Sequence, residues 1–282
     1  MKVHHFGSPA VWVFAWLVAS GVAFAHGDLH ERIAELTKRI AAEPRDARLY
    51  AQRAKLQRQH EGWQAALADC DQAQQLDPAV EVDHLRGLTL LESGHPEEAV
   101  PAFDRVLGRR PDDAQALLGR ARALARLGRQ VAAAADYTSA IGQMAEPQPE
   151  YYLERAQAMV ASGQDPLGGL DEGIAKLGPI VTLELAAIRF ELERGNYDGA
   201  LRRVAQQAEQ SERKESWLAR RGDILAQAGR AAEARAAYAD AWKAVQMLPE
   251  RLRQAESMQR LSSHLRAVSD PLSAESASAS PP

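Results

Sequence analysis

Imidazole, guanidinium and thiol groups are what this 282-residue sequence offers to chemistry. They are densest in the segment His26-Gly27-Asp28-Leu29-His30. Cleavage after Ala25, argued below, would leave a free amine and an imidazole on His26, a pair that chelates copper, with His30 as a further ligand. The single cysteine, Cys70, excludes an intramolecular disulfide and any cysteine-based zinc cluster, and its place in a helical pattern marks it as a small buried apolar residue. Arginine stands immediately before a small residue at Arg53, Arg86, Arg120, Arg155 and Arg221. Such a ladder suits an acidic peptide, a phosphate or an anionic polymer. It also suits structural ion pairing, because Asp69 and Asp136 follow Arg53 and Arg120 by sixteen residues and a buried arginine must be paired. No G-x-S-x-G, phosphate loop, H-E-x-x-H or recognisable cysteine-histidine motif is present, so the chain reads as a non-enzyme without a cofactor. A net charge of −4 with a pI near 6.1 gives no electrostatic case for nucleic acid as a partner.

The elements that must position these groups follow from a repeat. Small residues return at Ala54, Gly87, Ala121, Ala156 and Gly222, with Ile188 as the exception, in steps of 32 to 35 residues. A second track runs through Ala66, Ala99, Ala133, Gly168, Ala200 and Ala234. A third is a turn glycine, at Gly94, Gly128, Gly163, Gly195 and Gly229, with Gly62 one place late. Each period predicts a helix ended by a glycine in the left-handed conformation, then a second helix, with the small residues letting the two backbones approach. Tyr50, Leu117, Tyr152 and Leu218 on the first helix, and Cys70, Phe103, Tyr137, Val204 and Tyr238 on the second, fill the remaining space. Two such helices cannot bury both apolar faces alone, so successive pairs must stack. With only 6% aromatic residues and many alanines, the chain is expected to be all-α.

This pattern resembles the tetratricopeptide repeat, with Gly87, Ala99, Phe103 and Pro111 matching one unit and Ala54, Ala66 and Pro78 another. The resemblance covers residues 47–248, about six helix-turn-helix units, and implies a right-handed α-solenoid. In the fourth unit Gly168, Gly169 and Gly173 replace helix formers and Glu172 takes the aromatic position, which predicts a shortened second helix and the least rigid joint. The resemblance also implies a ligand in the concave groove lined by the first helices. Carried over unit by unit, the groove positions are Arg48, Lys55 and Arg58, then His84, Leu88 and Leu91, then Leu118, Arg122 and Arg126, with Arg189 and Asp223 further on. The carboxylate clamp of chaperone-tail-binding relatives is missing, since Ala51, Leu85, Gln115 and Gly119 occupy four of its places.

Both ends fit a capped solenoid. Lys2, His4 and His5, the apolar run Ala10 to Phe24 and the motif Ala23-Phe24-Ala25 read as an export signal over residues 1–25. A capping helix is expected over 26–46, with Leu29, Ile33, Leu36 and Ile40 on one face, and another over 249–268, carrying Leu252, Met258, Leu261 and Leu265. The serine- and proline-rich stretch 269–282 is expected to be a disordered tail. The function these features imply is a non-enzymatic adaptor in the bacterial periplasm, without a membrane segment in the mature chain, that binds a protein or peptide. Metal handling through His26 and His30, or a scaffold for envelope polysaccharide assembly, are the alternatives.

Overall fold

A computed structural model of the protein describes residues 28–278. The expected export signal, His26 and residues 279–282 lie outside the described residues. Those described form helices and turns and contain no strand. The chain divides at Glu146 and Pro147 into two compact units. The first holds α1 (28–42), α2 (Ala47–Gln59), α3 (Trp63–Leu76), α4 (Asp83–Glu92), α5 (Pro96–Arg109), α6 (Ala114–Arg126) and α7 (Gln130–Gln143). The second holds α8 (Pro149–Ala161), α9 (Leu167–Leu177), α10 (Val181–Glu193), α11 (Tyr197–Gln210), α12 (Glu215–Gln227), α13 (Ala231–Met247), α14 (Glu250–Arg253) and α15 (Glu256–Ser278). Within each unit consecutive helices pair as hairpins, and each hairpin packs on the next, as the repeat predicts.

Local chemistry sets the helix ends. The carboxylates of Asp46 and Asp113 accept the Arg48 and Ala116 amides at 2.9 and 3.0 Å and start α2 and α6, while Pro96 and Pro149 open α5 and α8. Gly94, Gly128, Gly163, Gly195 and Gly229 have φ between 74° and 85°, and the residue after each donates back to a carbonyl five places earlier. In the first hairpin the same bond runs from Gly62 to Gln57, and the left-handed residue is Glu61 (φ 59°). Gly62, expected as the turn glycine, therefore sits one step past the position that needs it.

The small-residue tracks are contact points between backbones. Ala54, Ala66, Ala99, Ala121, Ala133, Ala200 and Ala234 are all fully buried. At Gly87 and Gly119 an added Cβ would stand 2.8 and 2.4 Å from the Phe103 ring, and at Gly222 it would stand 2.4 Å from Tyr238. Each aromatic thus occupies the space that a glycine on a facing helix leaves open. Cys70 lies at 0% exposure among Ala54, Ala66, Ala73 and Val82, and burial pushes its thiol pKa up to about 11.

In the fourth repeat α9 has 11 residues where α3, α5, α7 and α11 have 14. Two of its three glycines face large side chains, while Gly168 faces open space. A Cβ on Gly173 would meet the Tyr152 ring at 2.8 Å, and one on Gly169 would meet the Arg155 guanidinium at the same distance. Large side chains from α8 fill the room that the expected aromatic at Glu172 would have used.

At the N-terminal end α1 lays Leu29, Ile33, Leu36 and Ile40 against Leu49 and Leu56, the cap the sequence predicts. At the other end Met258 and Leu265 are buried and Leu261 packs against the cluster that holds Leu265, but Leu252 is 37% exposed. It belongs to the separate four-residue turn α14, out of phase with α15. Helix α15 also runs to Ser278, through the start of the stretch expected to be disordered, because adding residues to a docked helix avoids a new nucleation step.

Two substitutions probe these constraints. Gly119→Ala forces the Phe103 ring to move and is expected to cost about 1–3 kcal/mol, read as a lowered urea midpoint. Glu61→Gly relieves a left-handed non-glycine residue and should raise stability by about 0.5–1 kcal/mol in the same assay.

Candidate ligand-binding groove

Four of the five arginines before the small residues, Arg53, Arg86, Arg120 and Arg155, are ion-paired into the framework, whereas Arg221 is exposed. Arg53 makes a two-pronged contact with Asp69 at 2.7 and 2.8 Å, and Arg120 does the same with Asp136 while reaching Asp104 at 2.7 Å. Those carboxylates raise both guanidinium pKa values above the ordinary arginine range. Arg86 pairs with Asp71, and Arg155 donates to Glu172 and to the Gly169 carbonyl at 2.8 and 2.7 Å. The ladder is structural in these four repeats: each guanidinium spans facing helices while its stem packs between them.

The first helices α2, α4 and α6 lie side by side in the first compact unit and carry nine of the expected groove residues. Their roles separate sharply. Leu91 and Leu118 are only 4% and 2% exposed, so they are core residues and cannot line a groove. Arg58 pairs with Glu92 at 2.5 Å, and Arg126 donates to the Leu91 carbonyl. Both contacts join neighbouring first helices, so these two cations serve as rungs of the scaffold. Arg122 is half-buried with interactions of its own, and Leu88 is half-buried. Arg48 and Lys55 are exposed, and no carboxylate among the described residues pairs with them. In the second compact unit Arg189 lies over the Phe190 ring at 4.8 Å and 3.5 Å from Glu193, and Asp223 accepts from Tyr238 and contacts His264.

His84 is half-buried in this face. Its ring stands edge-on to Phe103, with centroids 5.9 Å apart, and its Nε2 is buried without a hydrogen-bond partner among the described residues. Burial holds its pKa below the ordinary imidazole value, against the opposing pull of Asp113.

A further feature was not legible from the repeat. Arg32 and Arg39 on α1 face Lys55 on α2 across a cleft of about 480 Å³ that also takes in Glu35, Leu36, Gln52, Leu56 and Gln59. Three cations share it with one carboxylate, and none of the three is ion-paired among the described residues. The capping helix was expected only to cover the end of the stack, so its cations went unread. His30, expected with His26 as a metal ligand, meets His60 at the end of α2, and His26 lies outside the described residues.

Among known proteins, a family model described as tetratricopeptide repeat matches residues 84–149, and one described as tetratricopeptide repeat-like domain matches residues 171–259. Among solved structures, the C-terminal part of a repeat-containing protein from Cytophaga hutchinsonii superposes with a TM-score of 0.62 at 13% identity, covering 84% of this chain and 98% of that one. A tetratricopeptide repeat protein from Parabacteroides merdae gives 0.52 at 19% identity, covering 90% and 98%. PilW, a type IV pilus biogenesis factor, gives 0.52 at 18% identity, covering 74% and 99%. At these identities the likeness is one of fold. No match was found among curated proteins.

The depressed His84 pKa carries a pH signature. The folded chain holds the ring neutral while the unfolded chain takes up a proton near pH 6.5. Its contribution is therefore complete above about pH 6.5 and is lost as pH falls from there toward the lower folded value. Unfolding measured in urea at a series of pH values should show the native chain losing more stability on acidification than His84→Gln.

Proposed function

The chain belongs to the tetratricopeptide repeat family, and from that premise we propose that it is a non-enzymatic interaction scaffold holding an acidic peptide segment of a partner protein. The observation that carries this reading is the cleft between α1 and α2, where Arg32, Arg39 and Lys55 have no ion-pair partner among the described residues of a chain of net charge −4. Unpaired cations on a rigid helical wall are available to a carboxylate without first breaking an internal ion pair. Arg48 and the half-buried Leu88 extend the surface along the first helices, which suits an extended segment with alternating acidic and apolar side chains.

The signal-like features of residues 1–25 support work outside the cytoplasm, in a bacterial periplasm. No helix among the described residues is long and apolar enough to cross a membrane. The interaction-module character of the fold favours a scaffold over an enzyme.

The reading is tested by fluorescence anisotropy with acidic, neutral and basic peptides of equal length. Acidic peptides should bind, more weakly as salt rises, and the paired reversal Arg39→Glu with Lys55→Glu should lower affinity at least about tenfold. Peptide affinity unaffected by the reversal would remove the cleft from the binding surface. Capture of an anionic polysaccharide in place of any peptide would move the assignment to envelope polymer assembly.

A further inference from the structure

His30 and His60 are thirty residues apart in sequence and adjacent in space. Their Nε2 atoms lie 2.9 Å apart, with ring centroids 4.2 Å apart and planes inclined at 63°. His30 is in the first turn of α1 and exposed, while His60 caps the C-terminal end of α2 and is half-buried. Two imidazoles offering the same nitrogen to one point in space form the first half of a metal chelate.

The separation selects among metals. With metal–nitrogen bonds of about 2.0–2.1 Å, donors 2.9 Å apart subtend about 90°, the angle between adjacent ligands in square-planar or tetragonal coordination. A tetrahedral ion would need the donors spread to about 3.3 Å at the same bond length. Imidazole donors at a right angle, together with the rise in affinity toward copper along the first-row divalent ions, favour Cu(II).

We propose that His30 and His60 form a Cu(II) site that joins the capping helix α1 to the first repeat. Among the described residues no group of three or more histidine, cysteine or carboxylate side chains is placed to hold a metal, so these two imidazoles are the ligands the described residues supply. Before binding, one ring donates its Nε2 proton to the other. Coordination needs both Nε2 lone pairs, so that proton moves to Nδ1 of its own ring, with no net proton release from a neutral pair. The C-terminal end of α2, where His60 sits, is the negative pole of that helix and attracts a cation. Asp28 and Glu31 in the first turn of α1 offset its positive pole. This site is independent of the peptide reading, although α1 and α2 also wall the cationic cleft.

The experiment is a Cu(II) titration of the metal-free full chain, read by calorimetry and by pulsed electron paramagnetic resonance, with His26→Ala, His30→Ala and His60→Ala alongside. The native chain and His26→Ala should each bind one equivalent with two imidazole nitrogens coupled to the metal. His30→Ala and His60→Ala should each lose one of those nitrogens and at least about tenfold in affinity, since even outer-sphere changes at metal sites cost that much. Circular dichroism checks that both variants remain folded. Retention of native affinity in His60→Ala, or a native spectrum with fewer than two imidazoles, would overturn the site without help from any variant's stability.

Discussion

Close approach of paired helix backbones is the constraint on which this molecule depends. Helices of 10–14 residues are too short to be stable alone in water, so each must bury most of one face against neighbours. Alanine and glycine at the crossing points permit that approach, and an aromatic on the facing helix fills what they leave. Phe103 between Gly87 and Gly119 shows the logic within one hairpin and across to the next. One ring thereby sets the separation of three helices.

The same close packing decides which charges are available. Guanidinium groups near helix crossings are partly withdrawn from water, and a charge in that position persists only when paired. Arg53, Arg120 and Arg155 are therefore committed to carboxylates or carbonyls inside the stack, and Arg58 and Arg126 to contacts along the groove face. At the N-terminal end of the stack Arg32, Arg39 and Lys55 have no ion-pair partner among the described residues. Helix α1 accordingly has two faces with separate duties, an apolar one that closes the core and a cationic one that turns toward solvent.

Variation among the repeats follows from substitution within this framework. Where the fourth repeat lacks its aromatic, Tyr152 and Arg155 reach across into glycine-lined space, and the helix opposite shortens to fit. Where the first repeat lacks its turn glycine, Glu61 takes the left-handed conformation so that the chain still reverses at the required point. The reversal geometry is dictated by the hairpin partner, and the residue that happens to stand there must comply.

How much of this was legible before the structure depends on the range of the interaction. The period of small residues and turn glycines specified the helices, their pairing in order, the capping helix α1 and the Arg53–Asp69 and Arg120–Asp136 pairs, because each rests on spacing within or between adjacent helices. Positions that depend on how far one helix rotates or ends relative to another were not legible. Leu91 and Leu118 turned inward, Leu252 fell into a separate turn, and His60 arrived beside His30. Helical phase accumulates over several turns and a small rotation moves a side chain from groove to core, so sequence spacing alone leaves it undetermined. The sequence by itself determined that this chain is a stack of helical hairpins; only the packed structure decided which of its cations and imidazoles stay exposed and converge, because convergence is set by contacts between elements.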